Sequence, residues 1–74
     1  MKKSDLKNQK TFYYDKDGSW YDAPTWDFCI RFEQNGPVLY SHCETHGHLE
    51  FLKDLKSLED LKDSYEMLTG NEFI

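Results

Sequence analysis

Three histidines and a cysteine fall within seven residues, His42-Cys43-Glu44-Thr45-His46-Gly47-His48, and a second cysteine stands at Cys29. Imidazole nitrogen and thiolate sulfur are the ligands that zinc takes in sets of four, so Cys29, His42, Cys43, His46 and His48 are the metal candidates. Structural zinc sites usually draw two close pairs from separate stretches of chain, and no second Cys-x-x-Cys pair is present. The plainer reading is a polar strand end leading into a helix, with no cofactor. A cysteine beside a histidine is also half of a nucleophilic site. Such a site further needs a stabilised thiolate, an orienting third group and a cleft. A chain of 74 residues whose apolar groups are committed to one core has little room for a cleft. Binding rather than catalysis is therefore expected.

Asp15-Lys16-Asp17-Gly18-Ser19 places oxygen groups at alternate positions, as a calcium loop does. An EF-hand loop runs to twelve residues and closes on a bidentate glutamate, which this stretch lacks, so a hairpin turn is expected instead. The remaining acids are more suggestive. Glu50, Asp54, Glu59, Asp60, Asp63 and Glu66 gather in the C-terminal part, and Asp15, Asp17, Asp22 and Asp27 precede them. Read as one strip, they would imitate nucleic-acid phosphates and occupy the basic groove of a nuclease or another nucleic-acid-binding protein. Read plainly, they are a solvated helix face with i,i+4 partners. Tyr13 and Tyr21 fall on positions that strand alternation turns outward, and tyrosine is favoured at interface hot spots. Those two rings and the ten acids form the candidate partner-binding set.

The charge balance supports an acidic binding body. Lys2, Lys3, Lys7 and Lys10 against Asp5 make the first ten residues +3, so of the net −5 the rest of the chain carries −8. A body of that sign repels phosphate backbones and attracts basic protein surfaces. Direct nucleic-acid binding is thus not expected. No apolar run reaches the ~20 residues of a membrane span, and no apolar stretch follows the basic start as it would in a signal peptide. Two cysteines are not a secreted disulfide framework, which points to a reducing, cytoplasmic setting.

The elements that must position these groups can be read from periodicity. Residues 1–10 are polar and lysine-rich and read as a flexible basic arm, with a single domain over residues 11–74. Residues 11–15 and 19–22 make a hairpin around Asp17-Gly18. Residues 25–33 alternate strictly, with Trp26, Phe28, Ile30 and Phe32 on one face. Gln34-Asn35-Gly36-Pro37 turns the chain into a further strand over residues 38–44. Beyond it, leucines at 49, 52, 55, 58 and 61 recur every three residues, a spacing that drifts around one straight helix. Two helices are therefore expected, the first over residues 47–55. The second is capped by Ser57 and Gly70, with a stripe of Leu58, Leu61, Tyr65 and Leu68.

The fold class expected is α+β, a three- to four-stranded antiparallel meander with one or two C-terminal helices on one face. Aromatics make up 16% of the chain, and rings that each bury ~150–250 Å² let so short a chain build a core. In size and acidity the chain resembles phage-encoded inhibitors of host defence, anti-CRISPR and anti-restriction proteins among them. That resemblance implies a small acidic inhibitor or modulator acting inside the host cell on a protein with a basic surface. The alternatives are a structural or assembly module, as a homodimer or complex subunit joined through an open sheet edge, and a small zinc-binding protein.

Overall fold

The computed structural model describes residues 1–43 and 47–74, apart from the side chain of Cys43. Among these residues five strands and one α-helix follow a short 3-10 helix: β1 Phe12–Tyr14, β2 Trp20–Asp22, β3 Phe28–Glu33, β4 Gly36–Cys43, β5 His48–Asp54 and α1 Leu58–Thr69. The strands form one antiparallel sheet in the order β1-β2-β3-β4-β5. The α+β meander is thus present, with one more strand than expected.

The extra strand is the stretch expected to be the first helix. Residues 48–54 pair with β4, and between Leu39↔Lys53 and Tyr40↔Phe51 the register slips, leaving Leu52 as the additional residue of a bulge. The three-residue spacing of the leucines has a sheet explanation. Leu49 sits opposite His42, Leu52 packs against the core from the bulge, and Leu55 is buried just beyond the strand, its N–H donating to the Pro37 carbonyl at 2.9 Å.

The second helix forms where expected. Ser57 Oγ accepts the Asp60 N–H at 3.1 Å, and Gly70 closes the helix at φ 74° with its N–H on the Glu66 carbonyl. Leu61 and Tyr65 face inward and Leu58 is partly buried. Leu68 is half exposed, so the stripe ends at Tyr65, and Phe73 of the returning tail fills the place beside it. Glu66 takes the Phe73 N–H at 2.9 Å, and Ile74 bonds to Thr11, tying the tail to the start of β1.

One face of the sheet, carrying Phe12, Ile30 and Leu39, packs with Leu6, Leu55, Leu61 and Tyr65 into the core, and Trp20, Phe28 and Phe32 lean against it. Residues 1–10, read as an arm, supply part of that core. Lys3–Asn8 is a 3-10 helix whose Leu6 is buried, and Gln9 is buried behind it. The Gln9 amide donates to the Leu6 and Phe12 carbonyls and accepts the Thr11 and Phe12 N–H groups, all within 2.9 Å. The lysines of the segment point outward, which is why its composition reads as an arm while one leucine anchors it.

Candidate functional site

No helix of the described residues lies over the second face of the sheet. Alternation along each strand gives it Tyr13 of β1, Tyr21 of β2, Cys29, Arg31 and Glu33 of β3, Val38, Tyr40 and His42 of β4, and Leu49 and Phe51 of β5; the cross-strand registers Tyr13↔Tyr21, Tyr21↔Cys29, Cys29↔Tyr40 and Tyr40↔Phe51 run through one row. Beside the polar side chains of β3 this face thus carries a row of aromatic rings. Tyr13 is 53% exposed and Phe51 57%, while Tyr21 is covered and Cys29 has no exposed surface.

Trp26 covers Tyr21. The expected strand over residues 25–33 would have sent it into the core with Phe28; β3 begins only at Phe28, and Trp26 lies in the loop before it. There it has φ 61°, alone among the described non-glycine residues in the left-handed region, and its indole stacks on the Tyr21 ring at 5.7 Å and 29°. Half of its surface is exposed. His42 completes the corner, its ring packed edge-on against Tyr21 with centroids 5.1 Å apart and its Nδ1 3.2 Å from the Trp26 carbonyl. A carbonyl only accepts, so in this contact Nδ1 is the donor.

Asp22 holds the loop in shape from below. It belongs to the candidate partner-binding acids, but it is wholly buried and its carboxylate is used within the fold. Oδ1 accepts the Phe28 N–H at 3.0 Å, Oδ2 accepts the Tyr65 hydroxyl at 3.3 Å and the Thr25 hydroxyl, and its carbonyl accepts the Trp26 N–H at 2.9 Å. Buried and bonded within the fold, the Asp22 carboxylate is not presented to a partner. The same proximity, after burial itself, pushes the Tyr65 phenol above its ordinary value.

The other candidate acids divide among several places. Asp15 and Asp17 shape the β1–β2 hairpin: Asp17 accepts the Ser19 N–H at 2.9 Å and the Tyr21 hydroxyl at 3.4 Å, and Asp15 accepts the Lys16 N–H. Asp27 is exposed next to Trp26. Glu50 is on β5 opposite Ser41, and Asp54 is opposite Val38 at the far end of that strand. Of the helix acids, Glu59 and Asp63 are exposed, Glu66 is bonded to the tail, and Asp60 is paired with Lys53 at 2.8 Å. The Lys53 ammonium and then the Lys56 N–H hold the Asp60 carboxyl below its ordinary value. The ten acids thus do not share one strip. Glu33, outside that set, is on the open face and accepts the Tyr40 hydroxyl at 2.5 Å, which pushes that phenol up.

No cluster of three or more metal-ligating side chains occurs among the described residues. Cys29 is sealed under the open face, and burial pushes its thiol up to about 11, far from a reactive thiolate. His42 is committed to the Trp26 corner and His48 is exposed on β5, while His46 and the Cys43 side chain lie outside the described residues, and with them the rest of the metal proposal. No cavity opens among the described residues, and no helix there is long and apolar enough to cross a membrane.

No protein-family model, curated protein or solved structure matches the chain.

Proposed function

We propose that this chain is a non-catalytic protein-binding module, a small acidic inhibitor or modulator that presses the open face of its sheet onto a partner with a basic surface. The observation that carries this is the row of half-exposed rings at Tyr13, Trp26 and Phe51 on a sheet face that no helix of the described residues covers. Isolated exposed rings are ordinary, whereas rings gathered on one rigid face are what interface hot spots use. The reading rests on this face more than on an imitation of phosphates, because Asp22, Asp60 and Glu66 are engaged inside the fold. The exposed acids still set the sign of the partner, which is basic.

The size and acidity direct the test to nucleic-acid-handling enzymes, the targets of phage anti-CRISPR and anti-restriction inhibitors. The experiment measures whether the chain displaces DNA from a candidate nuclease, at low salt and again at high salt. Displacement that weakens as salt rises is expected. Simultaneous binding of DNA and chain, or no binding to any such enzyme, would turn the assignment away from this class of partner.

A further inference from the structure

The Trp26 corner points to what the open face receives. A bulky residue in the left-handed region is disfavoured, and such strain persists only where the surroundings over-determine it. Here they do: the Trp26 N–H is fixed by the Asp22 carbonyl, its own carbonyl by His42, and the loop by the buried Asp22 carboxylate. Glycine would take φ 61° without strain but would present no ring. What the strained turn delivers is an indole, half exposed, on the most aromatic corner of the face.

The charges around the rings are one-sided. Asp17 touches the Tyr21 hydroxyl, Glu33 touches the Tyr40 hydroxyl, Asp54 closes the β5 end opposite Val38, and exposed Asp27 follows Trp26. Apart from the His42 imidazole, Arg31 is the one basic side chain that the strands of the described residues contribute to this face. An aromatic ring face is itself negative, so rings bordered by carboxylates favour a cation lying flat on them. Guanidinium suits this better than ammonium, being planar, weakly hydrated and able to stack while its N–H groups reach a carboxylate.

We infer that the Trp26–Tyr21–His42 corner receives an arginine side chain projecting from a protein partner, with Trp26 as the anchor of the interface. This deepens the proposed function and rests on its reading of the open face. A short capped peptide of alternating arginine and glycine is the probe, titrated into the full chain while the two indole N–H resonances are followed by NMR. The Trp26 resonance is expected to shift and that of Trp20, on the core side, to stay. The lysine version should bind several-fold more weakly and the glutamate version not at all. Trp26→Ala should weaken arginine-peptide binding about tenfold or more, and Trp26→Phe should keep most of it. Trp26→Gly, which suits the turn, gives a folded ringless chain should the alanine variant fail to fold.

Equal binding of the arginine and glutamate peptides, or full binding by the ringless variant, would overturn the inference. So would a Trp26 resonance that responds to a single-stranded oligonucleotide or to self-association in sedimentation, and not to the arginine peptide. A nuclease inhibited equally by wild type and Trp26→Ala overturns the arginine site and leaves the proposed function standing. Peptide binding at Trp26 with no effect on any nucleic-acid-handling enzyme does the reverse.

Discussion

Two positions four residues apart do opposite work at the β2–β3 loop. Asp22 is a charged group enclosed by donors, and Trp26 is an apolar group left half outside. Removing the Asp22 carboxylate would leave the partly buried Phe28 N–H and the buried Tyr65 hydroxyl without their acceptor. Asp22→Ala should therefore destabilise the fold by roughly 1.5–3 kcal/mol or more, and Asp22→Asn by less, because the amide oxygen still serves Phe28 and the hydroxyls can turn to accept. Urea midpoints for the two variants check the order. Trp26 allows a cleaner comparison. Trp26→Ala and Trp26→Gly both lose the stacking on Tyr21, yet only alanine keeps the left-handed penalty. The glycine variant should be the more stable of the pair by about 1–2 kcal/mol, reversing the usual order of these two residues. Equal stabilities would mean that the loop relaxes out of φ 61° once the indole is gone.

The 3-10 segment is an element that composition hid. Its lysines gave the signature of a free arm, and a single leucine among polar residues carries no period. Leu6→Ala should destabilise the domain by about 2–5 kcal/mol, the range for a buried leucine, where a free arm would show no effect. Strands β3 and β4, their hairpin and both ends of α1 were legible, because strict alternation, Asn35-Gly36, Ser57 and Gly70 are local signals. β5 was not. The bulge at Leu52 breaks its period of two and makes Leu49, Leu52 and Leu55 look helical, although they serve different faces. On the open face, alternation gave the side of the sheet for Tyr13 and Tyr21 but not the covering of Tyr21 by Trp26, which was assigned to the core because a left-handed residue ahead of a strand leaves no mark in periodicity. β5 also carries half of the ion pair that joins sheet to helix, Lys53–Asp60. Asp60 is held below its ordinary 3.8, so its contribution is present above that value and is lost as pH falls through the lowered one. The pair is partly exposed and worth a few tenths to about 1 kcal/mol. Asp60→Asn should lower the neutral-pH midpoint slightly and flatten its decline below pH 3.8, measured by urea denaturation across acid pH.

At the scale of the whole molecule, the open face and the core share one consequence: neutral acids are sealed between them. Cys29, Tyr21 and Tyr65 all have raised values, burial being the largest cause in each. A raised value means that the folded chain holds its proton more tightly than the unfolded one. The stabilisation is thus complete below the unfolded value and is lost as pH rises through the folded one. For Cys29 that window runs from 9.0 to about 11, ahead of the phenols, whose ordinary value is 10.0. Within it the unfolding free energy should fall by up to about 1.4 kcal/mol per pH unit for this one proton. Loss of stability could also come from growing repulsion in a chain already at −5, and salt separates the two causes. Added salt screens repulsion between surface charges but does little for the burial of a thiolate. Alkaline unfolding that begins near pH 9, persists in high salt and loses its first step in Cys29→Ala is expected, followed by circular dichroism across alkaline pH. Rescue by salt would place the instability in the acidic surface instead, and would make the charge that draws a basic partner the same charge that limits the fold.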